Sequence, residues 1–195
     1  GQHVVHAGLA GTGQAAKICN NMILGISMIA VSEAFVLAEK FGLDAQKMFD
    51  ISSKSSGQCW SLTSYCPVPG PVPTSPANRD YEPGFTAAMM LRDLQLAQDA
   101  AMAAGARTPL GAGAAEIYAQ FVRSGEADRD FSGIIRLVRA EVLTLRSSDF
   151  VTAARTIGAP SSAILRRHLL PNIIAIIQSG LMDRTLIASI SPTTS

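Results

Sequence analysis

The sequence predicts an all-α fold, with a helical domain of five or six helices and a smaller helical appendage. Three observations carry this. Helical character runs without interruption over residues 14–41. The later helical stretches are separated by residues that start and stop helices, namely Gly42, Asp44, Gly105, Thr108-Pro109 and Asp130. The one nucleotide-binding fingerprint, Gly11-x-Gly13-x-x-Ala16, lacks the second strand that a βαβ unit needs after its helix.

The elements follow in order. His3-Val-Val-His6 is the only candidate short strand, and the run from Gly11 then opens the long helix. Residues 18–32 of that helix are 15 uncharged positions including two asparagines. This is too short and too polar to cross a bilayer, and it reads as the buried part of a core helix. Gly42 takes the place of a C-terminal capping glycine, and Asp44 that of the N-cap of a second helix to about Ile51. Residues 52–57 are a polar break, and residues 66–80 contain Pro67, Pro69, Pro71, Pro73 and Pro76. Proline at that density predicts an irregular or polyproline-like loop. A strong helix is expected over 85–104, stopped by Gly105. Thr108-Pro109, a cap followed by proline at the first helical position, opens another helix to about Arg123, and Asp130-Phe-Ser starts the next.

With 195 residues, 48% hydrophobic and 16% charged, the chain can bury a sizeable core and is not disordered by composition. A net charge of +1 points to neither nucleic acid nor an acidic surface as partner. Cys19, Cys59 and Cys66 form no C-x-x-C and no even set, which suits a reducing, cytoplasmic setting. His3, His6 and His168 are too scattered for a metal site, and none is expected. No basic region precedes an apolar core at the start, so no signal peptide is expected.

Lys17 and Asn21 are four residues apart, on one face of the predicted long helix. An ammonium and a carboxamide side by side can hold an oxygen-bearing substrate. A lysine whose surroundings depress its pKa can also exchange a proton. An ordinary solvated helix start is the alternative. The residues around them match the pattern G-x-G-x-x-x-K-x-x-x-N at Gly11, Gly13, Lys17 and Asn21. Further matching blocks are Asn20-Asn-Met-Ile-Leu-Gly-Ile-Ser-Met-Ile, Ser55-Ser-Gly-Gln-Cys-Trp60, Pro67-Val-Pro-Gly70 and Gly84-Phe-Thr. Over residues 1 to about 136 the chain thereby resembles the C-terminal domain of the 3-hydroxyisobutyrate dehydrogenases, within the β-hydroxyacid dehydrogenase family. The resemblance implies a catalytic Lys17, a substrate-binding Asn21, and Phe85, Arg92 and Asp93 near the cofactor. At position 92 the family typically has lysine. The arginine here keeps the charge but is longer and planar, which bears on cofactor affinity.

Charge shifts near residue 138. Residues 1–138 hold 10 Lys+Arg and 12 Asp+Glu, whereas residues 139–195 hold 6 Arg, no Lys and 3 Asp+Glu. A second resemblance begins there, over Glu141-Val-Leu-Thr-Leu-Arg-Ser-Ser-Asp-Phe-Val-Thr-Ala-Ala-Arg-Thr-Ile-Gly158 and Ile164-Leu-Arg-Arg-His-Leu-Leu-Pro171-Asn172. It is similar to the cytoplasmic loop of oligopeptide and dipeptide ABC-transporter permeases. Ala153, Ala154, Gly158, Leu170 and Pro171 fit the pattern, while Thr152 replaces its glutamate and His168 its isoleucine. In that family the loop docks on an ATPase subunit. The expected organisation is a dehydrogenase-like helical domain at 1–138, a permease-loop-like segment at 139–179, and an unassigned, disordered tail at 180–195.

The resemblance implies a fragment of an NAD-dependent enzyme of valine catabolism, which oxidises a small-molecule 3-hydroxy acid to its semialdehyde. It further implies that no Rossmann domain is present, that NAD is bound mainly by an absent N-terminal domain, and that the chain alone is inactive. A fragment of a permease, or a non-functional chimera of the two, is the alternative. A third reading is a purely structural helical fragment. Homo-oligomerisation through the long helix is expected in the first and third readings.

Overall fold

The computed structural model describes residues 5–146, with side chains described through residue 140. The candidate strand at His3–His6 is described only at Val5 and His6, which are not in a strand, and 147–195, with most of the permease-like blocks and the tail, lie outside the described residues. Among the described residues the elements are α1 (Thr12–Lys40), α2 (Ala45–Ser52), α3 (Trp60–Thr63), α4 (Ala87–Ala103), α5 (Pro109–Phe121) and α6 (Ile135–Arg146). Short 3-10 turns occupy Pro76–Arg79 and Phe131–Ile134. The only β pairing described is an isolated bridge between Thr86 and Asp130. The described residues up to Ala140 form one compact unit.

The ends of α1 follow from glycine. Gly11 at its N-cap has φ +92°, and Gly42 just past its end has φ +75°. At that end Leu43 N–H donates to Ala38 C=O at 2.9 Å and Gly42 N–H to Glu39 C=O at 3.1 Å. This pair of bonds needs a left-handed residue, which glycine adopts without penalty. Asp44 caps α2 by accepting from Gln46 and Lys47 N–H. Thr86 caps α4 through Met89 N–H. Thr108 makes no such bond. Its hydroxyl donates to Gln98 Oε1 at 3.0 Å, so it ties α5 to α4 and does not cap α5 as its position suggested.

The core lies where α1, α4, α5 and the Phe131–Ile134 turn meet, around Met28, Met90, Leu94, Tyr118, Phe121 and Phe131. α1 is long and apolar enough to cross a membrane by length and composition. The sequence, by its uncharged run, predicts a segment too short and too polar for this. Its buried face instead packs in the core, through Met28, Ile29, Val31, Phe35 and Val36. Close helix approach depends on Gly25 and Gly111. A Cβ on Gly111 would sit 2.6 Å from Gln98 Nε2 and 2.8 Å from Met22 Sδ. Gly111→Val is therefore expected to cost about 1–3 kcal/mol by overpacking, read as a lowered urea midpoint. An unchanged midpoint would show that the three helices can separate freely.

The proline-rich stretch is not an open loop. Cys66, Pro67, Val68, Val72, Ser75, Pro76 and Ala77 are buried. Ser75 Oγ donates to Cys66 C=O at 2.6 Å, and Tyr81 Oη donates to Pro67 C=O at 2.8 Å. Asn78 donates to Val72 C=O and accepts from Gly70 N–H. The segment leaves this latch through Asp80 and Tyr81, both at positive φ (+49° and +58°). Asp80 there pairs with Arg129 at 2.8 Å and Arg136 at 3.1 Å, and the Arg136 guanidinium lies 5.5 Å from the Tyr81 ring centre. These contacts offset the strain of two left-handed residues.

Burial pushes the Cys66 thiol up to about 11 from 9.0, and raises Tyr81 and Tyr118. Tyr65 is raised by burial and by its bond to Asp130. In each case the protonated form is favoured by folding. The Cys66 contribution is intact below pH 9.0 and is lost as pH rises to about 11. Denaturation midpoints are thus expected to fall across that window. A midpoint constant to pH 11 would contradict the burial of these groups.

Candidate functional site

Gln14, Lys17, Ile18 and Asn21 recur along one face of α1 at the helical spacing, and Asp93 and Leu96 face them from α4. Together they line a cavity of about 30 Å³. That is room for a water molecule or two, so a substrate must lie across the mouth. Asn21 Nδ2 donates to Asp93 Oδ2 at 2.6 Å, a contact between residues 72 apart in sequence. Lys17 is exposed and forms no ion pair among the described residues. The Asp93 carboxylate is engaged by the amide and not by the ammonium, which leaves the positive charge of Lys17 available.

The other two expected site residues lie elsewhere on α4 and before it. Arg92 is exposed and does not line the cavity, as expected one residue and about 100° around the helix from Asp93. Phe85 packs edge-on against Phe131, ring centres 5.7 Å apart, and its backbone N–H donates to Asp130 Oδ2. Its ring belongs to an aromatic row with Trp60, Tyr65 and Phe131.

Two features exceed what the sequence marks, since it marks Asp130 only as a helix start. One is Asp130, fully buried, whose carboxylate accepts from Tyr65 Oη (2.9 Å), Gly84 N–H (3.0 Å), Phe85 N–H (3.2 Å), Ser132 N–H (3.0 Å) and Ser132 Oγ (2.6 Å). The Asp-x-Ser spacing signals the last two bonds but none of the others. The second is a groove of about 400 Å³ beside the lysine cavity, lined by Asn20, Ile23, Leu24, Ser27, Cys59 and Trp60. Among the described residues no group of three or more His, Cys, Asp or Glu is placed to hold a metal.

A family model described as "NAD-binding of NADP-dependent 3-hydroxyisobutyrate dehydrogenase" matches residues 11–138. A second model, "Binding-protein-dependent transport system inner membrane component", matches residues 131–187, which lie largely outside the described residues. A probable 3-hydroxyisobutyrate dehydrogenase of Mycobacterium tuberculosis is 57% identical over 137 residues, 70% of this chain and 46% of that protein. An NAD-dependent L-serine dehydrogenase of Pseudomonas aeruginosa is 44% identical over 137 residues, again 70% of this chain and 46% of that protein. Among solved structures, the Mycobacterium tuberculosis 3-hydroxyisobutyrate dehydrogenase with L-serine matches with a TM-score of 0.67, covering 69% of this chain and 46% of that one. The chain thus spans about half the length of the curated relatives it matches.

These matches correct the expected fold class, an all-α C-terminal domain with no Rossmann domain and its NAD platform lying outside the chain. The matched residues 11–138 are themselves described as NAD-binding, so the nucleotide-binding module lies within this chain. The helices stand as described for residues 5–146; the identity given to them, and the placing of NAD on an absent domain, do not. That expectation rested on the missing second strand after Ala16 and on the resemblance to a C-terminal domain. Exposed polar groups on helices can also meet a cofactor.

Proposed function

The chain belongs to the family described as NAD-binding of NADP-dependent 3-hydroxyisobutyrate dehydrogenase, and on that premise we propose that its Lys17 cleft serves the oxidation of a small 3-hydroxy acid to its semialdehyde, as in valine breakdown. The observation that carries this is the exposed Lys17, without an ion pair among the described residues, beside an Asn21 held by Asp93. Lys17 Nζ acts as the acid/base or the electrostatic partner of the substrate hydroxyl. Asn21 orients the substrate. NAD, when bound, supplies the hydride acceptor. Arg92, an exposed cation, suits the phosphates of the dinucleotide. Phe85 supports this face through its packing on Phe131.

The setting is cytoplasmic, in keeping with three free cysteines. Self-association through α1 is supported by its exposed Ile23 and Leu37 and by Phe41 at its end. The chain alone turns over negligibly, because Lys17 lies open to water. The test is titration of the full chain with 3-hydroxyisobutyrate in the presence of NADH, with turnover measured in parallel on the same substrate with NAD in place of NADH. Hydroxy-acid binding that weakens in Lys17→Ala is expected. Binding indifferent to that change would overturn the reading.

A second reading covers residues 139–179, for which the transport-component match at 131–187 favours a segment of permease origin. Its partner would be an ATPase subunit, and the chain would be a chimera. Sequencing the genomic DNA across codons 130–145 decides whether the join is natural.

A further inference from the structure

A primary amide offers two N–H donors and two acceptor lone pairs. In Asn21 one N–H is donated to Asp93 Oδ2 at 2.6 Å, and Oδ1 accepts from Asn20 Nδ2 at 3.3 Å. A carboxylate only accepts, so the nitrogen of the amide has to face Asp93. The flipped amide would set two acceptors against each other. One N–H and one lone pair of Asn21 remain, on the wall of the cavity that Lys17 also lines.

We propose that Asp93 is a positioning residue for Asn21, fixing the polarity of its amide so that the site accepts one donor and presents one. This inference rests on the reading of the Lys17 cleft as the substrate site, and it names what the cleft selects. A ligand needs a hydroxyl to donate to the remaining Asn21 lone pair and a carboxylate oxygen to accept from the remaining N–H. Both groups must lie within reach of one ammonium. A β-hydroxy acid meets that requirement, whereas a simple carboxylate of the same size leaves the lone pair unmet and binds more weakly. Asp93 is thereby assigned to the substrate side of the site and not to the cofactor.

The experiment has two arms on the full chain. In the first, the side-chain amide resonances of Asn21 are followed by NMR during acid titration, in the wild type and in Asp93→Asn. The resonances are expected to move as the carboxylate titrates, and to lose that movement in Asp93→Asn while the thermal melt stays cooperative. Resonances indifferent to both changes overturn the proposal, because a residue that only packs would leave them where they are. In the second arm, affinities for 3-hydroxyisobutyrate and isobutyrate are compared. Asp93→Asn is expected to lower affinity for the hydroxy acid about tenfold, the value of roughly one hydrogen bond, and to shrink the preference over isobutyrate. A Lys17→Ala chain that loses binding beside an Asp93→Asn chain that keeps both affinity and preference overturns the positioning role and leaves the functional reading intact. Binding indifferent to Lys17→Ala instead overturns the functional reading, and the first arm still decides the amide contact.

Discussion

Asp130→Ala is expected to unfold the protein more readily than any other single substitution in the described residues. The side chain accepts five hydrogen bonds at zero exposure. Its removal leaves the N–H groups of Gly84 and Phe85, the Ser132 N–H and hydroxyl, and the Tyr65 hydroxyl without their acceptor. Some of these will find water. The remainder places the cost at roughly 3–5 kcal/mol, in the range of a broken buried network. The same bonds join the turn before α4 to the turn before α6, so the loss is felt across the core. Asp130→Asn keeps one acceptor oxygen and should cost less. Urea denaturation of the three proteins checks the order. A midpoint for Asp130→Ala within experimental scatter of wild type would mean that these bonds are not formed together in solution.

Lys17→Ala is expected to have the largest effect on catalysis. The chain would be joined to the part of the Mycobacterium tuberculosis relative that it does not match. In that setting, loss of an acid/base group should reduce kcat by about 10²–10⁴-fold. Lys17→Arg should not rescue it, because a guanidinium stays protonated and cannot accept the hydroxyl proton. Asn21→Ala should cost less, mainly through substrate positioning. Arg92→Lys, which restores the lysine of the family pattern, should chiefly lower the KM for the dinucleotide. Near-full kcat in Lys17→Ala would remove Lys17 from the chemistry.

Much of the helical framework was legible in the chain because it depends on neighbours in sequence. Gly42 and Gly105 end helices through a left-handed residue and bonds spanning five positions, Leu43 to Ala38 and Ala106 to Ala101. Asp44 caps through N–H groups two and three residues on. Lys17 and Asn21 share a face by helical geometry alone. Thr108 shows where local reading fails. Its position is that of a cap, yet a partner ten residues back takes its hydroxyl. The proline-rich stretch fails in the same way: proline density says irregular, but only the Tyr81, Ser75 and Asn78 bonds make it buried and fixed.

By itself, then, the sequence determined where the long helices begin and end, which residues share a helix face, and which family pattern they satisfy, since each rests on short-range geometry or on residue identity; α3 was not among the expected helices. Tertiary structure decided that Asp93 meets Asn21 and leaves Lys17 without an ion pair among the described residues, and that Asp130 closes the core. Those outcomes depend on hydrogen bonds between groups 45 to 72 residues apart, formed only once burial has removed water as the competing partner.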